Sequence, residues 1–148
     1  MFVDELRADL TAALRAGRTQ QVGTIRMVLT AIREAEVAGK VQRTLTDDEA
    51  RAVLAKEAKK RRESARVYAD AGRAELAGAE DAEAEILEAY LPRPLTEEEL
   101  TALVEEVLAA EGLTERSQMG AAMKAVNGRV AGRADGGAVA ALVRARLA

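Results

Sequence analysis

The chain has 148 residues and a formal net charge of −3, and 49% of it is hydrophobic by type although aromatic residues are confined to Phe2, Tyr68 and Tyr90. A core of Leu, Ile, Val, Met and Ala suits close helix packing and gives little to a pleated sheet, so the composition points to an all-α protein of one ordinary domain or two small ones. The absence of cysteine and histidine excludes disulfides and thiolate metal sites, and it removes the commonest general base and the best nucleophile.

The segment Met1 to Arg15 carries Asp4, Glu5 and Asp9 where a signal peptide needs a basic start and an apolar stretch. No run approaches the roughly 18 apolar residues of a membrane span. A cytoplasmic protein with no membrane partner is the expectation.

Leu6, Leu10 and Leu14 recur every four residues and predict a first helix, closed by Gly17 in the left-handed conformation. Thr19 is the expected cap of a second helix, whose face runs through Val22, Ile25, Leu29 and Ile32 to a non-apolar Glu36 and stops at Gly39. Thr46 followed by Glu49 is a capping box, and it opens a third helix through Leu54, Ala58, Ala65 and Tyr68 to Ala71, about 39 Å at 1.5 Å per residue. A fourth helix, weakened by Gly72 and Gly78, regains an apolar face at Ile86, Leu87, Tyr90 and Leu91 before Pro92 and Pro94 end it.

The two prolines predict an extended linker and a boundary between a helical hairpin or bundle domain, residues 1–91, and a three-helix tail domain, residues 92–148. Thr96 and Glu99 repeat the capping box, with Leu95 and Leu100 placed for a hydrophobic staple. Leu100, Leu103, Val104, Val107 and Leu108 give the fifth helix one face, closed by Gly112. Ser117 is expected to cap a short helix bearing Met119, Met123 and Val126. Asp135 is expected to cap the last, with Val139, Leu142, Val143 and Leu147 inward.

Charge is unevenly spread. Residues 1–91 carry −2, residues 92–116 carry −5, and residues 117–148 carry +4. The acidic triplets Asp47-Asp48-Glu49 and Glu97-Glu98-Glu99 fall in helix first turns, where the macrodipole favours negative charge. They need no catalytic or metal role. The acidic stretch Glu80 to Glu88 has no calcium-loop spacing and is expected to be a solvated face. No metal or cofactor is expected.

The basic run Lys56 to Arg66 places Lys59, Arg62 and Arg66 within about 60° on one helical face. That strip suits either solvent, with Glu57 and Glu63 as local partners, or a nucleic acid. Gly128, Gly132, Gly136 and Gly137 do not form a nucleotide loop, because Gly132 is followed by Arg133 and Ala134 instead of lysine and a hydroxyl residue. They suit a helix stop and a tight turn, and the amides opening the last helix, near Arg129 and Arg133, also suit a phosphate. Scarce aromatics argue against stacking single-stranded bases and leave phosphate and shape contacts to a folded RNA.

Taken together, Arg26-Met27-Val28, the Lys56 to Arg66 helix, Glu88-Ala89-Tyr90-Leu91-Pro92, Met119-Gly120 with Met123, and Gly132-Arg133-Ala134-Asp135-Gly136 resemble the YqeY-like proteins in order along the whole chain. That family shares a domain with GatB, the B subunit of the tRNA-dependent amidotransferase. The resemblance implies an N-terminal helical domain and a C-terminal tail that engages tRNA. It associates the chain with carbon–nitrogen ligase activity using glutamine as amide donor, although the catalytic cradle and ammonia channel are absent. It carries over as RNA-contact candidates only Lys124, Arg129, Arg133 and Arg144; Gly136 at the last helix start and Lys59, Arg62 and Arg66 on the basic strip are candidates from the residue pattern itself. The expectation is a non-catalytic tRNA-binding accessory module with no DNA partner, a protein-interaction adaptor being the other reading.

Overall fold

The computed structural model describes residues 1–148, and it contains seven α-helices, one 3-10 turn and no strand. The protein is all-α. The chain divides into two compact units, Met1–Leu91 and Pro92–Ala148.

In the first unit, α1 (Phe2–Ala16) ends on Gly17 at φ 69°. It buries Phe2, Leu6 and Ala13, whereas Leu14, expected on the core face, is half-exposed. Four-residue spacing drifts by about 40° per step on a 3.6-residue helix, so Leu14 lies about 80° round from fully buried Leu6, at the edge of the face that Phe2 and Ala13 share on its other side. The second helix, α2 (Thr19–Val37), is capped by the backbone of Arg18, and Thr19 lies inside the helix without a capping bond. It stops at Val37, before Gly39. Glu36 fills the odd place in the stripe for a reason the periodicity did not reveal: its carboxylate accepts the Leu45 amide at 3.0 Å and fastens the following loop.

The capping box of Thr46 and Glu49 forms as expected and opens α3 (Asp47–Asp70). Gly72, at φ 75°, then turns the chain into α4 (Ala74–Glu88). The two helices pack as a hairpin, the most extensive helix contact in the unit. Near Pro92, α4 ends earlier than its apolar pattern suggests. The amides of Tyr90 and Leu91 bond three residues back, to Leu87 and Glu88, tightening the chain before the proline excludes helix. Leu6, Ile25, Leu54 and Leu87 are fully buried and centre the core. Beside them the Phe2 ring meets Tyr90 edge-on at 6.1 Å and lies 4.9 Å beneath the Arg51 guanidinium.

In the second unit, α5 (Glu97–Glu111) starts from the Thr96 and Glu99 capping box and ends on Gly112 at φ 64°. Leu95 and Leu100 join one apolar cluster. Ser117 does not cap the next helix. It sits inside the 3-10 turn Arg116–Gln118, where the Gln118 side chain accepts the amides of Thr114 and Glu115, and α6 (Met119–Val130) follows directly. The last helix, α7 (Gly136–Arg146), is capped by Asp135, whose carboxylate accepts the Ala138 amide at 3.2 Å. Val104, Ala122, Val126, Val139 and Val143 are fully buried, one small-residue seam holding three short helices. Leu103 only half enters it.

Candidate nucleic-acid interface

The turn between α6 and α7 is built on two left-handed residues, Ala131 at φ 50° and Gly132 at φ 77°. A left-handed alanine costs on the order of 1 kcal/mol, and its amide bonds to Asn127 in return. The turn is tied to the start of the unit by a Leu95 amide bond to the Arg133 carbonyl at 2.8 Å, while Arg133 Nε donates to the Arg93 carbonyl at 2.9 Å. Arg133 is thus fixed at its Nε and keeps the rest of its guanidinium without a carboxylate.

At the α7 start, a Cβ on Gly137 would approach the Asp135 carboxylate to 3.0 Å, so glycine there makes room for the cap. The amides of Gly136 and Gly137 have no protein acceptor. Asp135 already supplies the negative charge that this helix end favours, and a phosphate on Gly136 would have to share the end with it.

The cations of this unit fall into two groups. Arg129 reaches Glu106 at 3.5 Å and Arg146 reaches Glu105 at 2.9 Å, so the acidic α5 neutralises part of the basic tail. The −5 of residues 92–116 folds against the +4 of residues 117–148, and Pro92–Ala148 nets −1. Arg116, Lys124, Arg133 and Arg144 have no carboxylate partner. On α6, Lys124 stands about 140° around the helix from Arg129, so the two do not share a face. Arg144 has a neighbour that sequence reasoning passed over. It lines a cleft of about 220 Å³ with Arg116, above Met119 and Leu147. A charge count divided at Ser117 left Arg116 in the acidic segment, one residue outside the basic one, and only the fold brings it to Arg144.

The basic strip of the first unit is changed more by folding. Arg62 is held by Asp81 and by Glu88, each at 2.8 Å. The hydrogen bonds it donates to Glu88 and then to Asp81 raise its pKa, and the Arg62 bond holds the Glu88 carboxyl below the usual range. Arg61 is buried, with Nη1 on Glu57 at 3.0 Å and Nη2 3.2 Å from the Met27 sulfur. Its Nε lies 3.4 Å from Glu83, within reach of the charge but outside hydrogen-bond geometry. Lys59 and Arg66 are exposed and unpaired. The acidic stretch of α4 is therefore not simply a solvated face, because Asp81, Glu83 and Glu88 clamp α3. Lys59, Arg62 and Arg66 share a helical side as the spacing requires, but the middle charge is already occupied.

The acidic triplets sit in first turns. Hydrogen bonding from Arg93, and then from Thr96, lowers the Glu99 carboxyl to about 2, and Arg43 lowers Glu49 in the same sense. No group of three or more Asp or Glu converges as a metal cage would.

A family model described as "Yqey-like protein" matches residues 3–147 of this chain. Among curated proteins, the chain is 33% identical over 132 residues to "Altered inheritance of mitochondria protein 41, mitochondrial" of Clavispora lusitaniae, a match covering 85% of this chain and 74% of that protein.

Proposed function

Because the chain belongs to the Yqey-like protein family, we propose that it acts as a tRNA-binding accessory module with no chemistry of its own. On this reading the Pro92–Ala148 unit makes the RNA contact and the Met1–Leu91 unit is its helical scaffold. The protein then assists a glutamine-dependent carbon–nitrogen ligase without being one, and the proposed setting is the cytoplasm.

The observation that carries the proposal is the set Arg116, Lys124, Arg133 and Arg144, cations that the fold leaves without carboxylate partners while α5 occupies Arg129 and Arg146. All three aromatic residues lie before Pro92, so this unit has no ring on which to stack a base. It can bind phosphate and shape. The chain's charge of −3 opposes long-range attraction, and binding must come from local contacts.

Titration of tRNA at two salt concentrations tests this. Three or four phosphate contacts predict a loss of about 40- to 150-fold in affinity between 50 and 200 mM salt. Arg116→Gln with Arg144→Gln should flatten that slope. Absence of binding at low salt, or equal binding to any polyanion, refutes the reading.

A protein-interaction adaptor is the second reading, favoured by Val37, Val41 and Met27, which are each at least half exposed on the first unit. Capture of a protein that survives nuclease treatment would support it over RNA binding.

A further inference from the structure

A groove of about 590 Å³ opens between α1, α2 and the loop that follows α2. Its lining mixes apolar side chains, half-buried Val3 and Leu29 over buried Ile32, with polar Thr30 and Gln42. Its walls carry Arg7, Arg26 and Arg33. Arg26 and Arg33 lie seven residues apart on α2, two turns and about 10 Å along one face, and Arg7 projects from α1. Neither α2 arginine makes a side-chain hydrogen bond or an ion pair. Arg7 has only exposed Asp4, at 3.9 Å. The acid in the lining, Glu36, is engaged at one oxygen by the Leu45 amide.

We propose that this groove binds a small phosphorylated ligand of the nucleoside diphosphate class. Three guanidiniums against one carboxylate give the lining a net charge of +2, which favours an anionic phosphate group. Arginine forks match phosphate oxygens two at a time, so three forks around one concavity, those of Arg26 and Arg33 unpartnered and that of Arg7 facing only exposed Asp4, favour phosphate over a lone carboxylate. The exposed parts of Val3 and Leu29 have nothing to offer a bare anion and would give a base an apolar contact, against which a guanidinium plane also stacks. The volume lies within the range of small-ligand sites. The groove belongs wholly to the first unit and does not depend on the tail's RNA contact.

Calorimetric titration of the full chain with ADP, with inorganic pyrophosphate and with tRNA separates the possible phosphate sources. ADP should bind saturably at one site, and more tightly than pyrophosphate. Arg26→Gln with Arg33→Gln should weaken it by about tenfold or more, the loss of two charge-assisted contacts. Exposed Arg18, outside the groove, should be replaceable by Gln without effect, and circular dichroism should show both variants fully helical. Absence of ADP binding at about 1 mM ligand in low salt would overturn the proposal. So would pyrophosphate binding as tightly as ADP, since the apolar lining would then hold nothing. If the double variant weakens tRNA and ADP does not bind, the groove is an RNA surface and the small-ligand proposal falls. Arg116→Gln with Arg144→Gln must leave ADP affinity unchanged, so failure of the tail reading is told apart from failure here.

Discussion

Replacing Arg61 with methionine strips the positive charge from the centre of the first unit while keeping a side chain that fills the same channel. The Arg61 side chain is 7% exposed, and it faces Glu57 and Glu83, themselves 15% and 29% exposed. Breaking a buried ion pair from one side costs about 3 to 5 kcal/mol, because the charge left behind has lost both water and partner. Here the two carboxylates retain some water, and Glu57 keeps Lys60 at 3.4 Å. The cost therefore falls to the bottom of that range or just below it, about 2 to 3 kcal/mol. Urea unfolding followed by circular dichroism should show the midpoint falling by about 1 to 2 M. Adding Glu57→Gln and Glu83→Gln should return part of the loss, because the abandoned charges are then gone as well. A loss of less than about 0.5 kcal/mol, or a triple variant no better than the single one, would refute the claim that Arg61 is a buried counter-ion.

The Glu99 carboxyl is held at about 2 by Arg93 and Thr96, against an ordinary 4.5, so its folded value is depressed. Its contribution is complete above pH 4.5 and disappears as the pH falls toward 2; thermal melts across that window should lose less with Glu99→Gln than with the native chain. In the tail core, Leu100→Ala should cost about 2 to 5 kcal/mol by denaturant unfolding, and half-buried Leu103→Ala clearly less. Equal losses would contradict the packing described for α5. Arg129→Glu with Arg133→Glu should leave helical content intact and weaken tRNA binding, with most of the effect traced to Arg133 by the single variants, because Arg129 already faces Glu106. An Arg129 effect as large as that of Arg133 would mean the ion pair opens on binding.

What the sequence made legible is what the chain decides within one turn. Thr46 and Thr96, each followed three residues later by glutamate, both open a helix with a capping box. Asp135 caps as expected, and Gly17 and Gly112 adopt the left-handed stops that a helix end requires. Ser117 fails on the same local terms, since the Gln118 amide oxygen takes the amides of Thr114 and Glu115 and converts the approach into a 3-10 turn. Leu14 and Leu103 fail for a different reason. A stripe of apolar residues identifies the inward side of a helix but not how wide a strip its neighbours cover, and both residues lie at the edge of that strip.

The candidate site was less legible because a segment's net charge is a property of the chain, while an interface depends on which charges still lack a partner after folding. Residues 117–148 carry +4 as a string, but α5 returns two carboxylates to Arg129 and Arg146. Residues 56–66 carry a dense basic run, and α4 returns three carboxylates to Arg61 and Arg62. Folding subtracts most where the sequence signal is strongest, because dense charge can be packed only against its opposite. The cations left over include Lys59 and Arg66 of that basic run along with the dispersed ones elsewhere. Arg116 and Arg144 come from different elements and meet across one cleft, as Arg7, Arg26 and Arg33 do across another. A ligand of opposite charge then gains most at these sparse positions, where only the exposed Arg7–Asp4 pair has to be broken first.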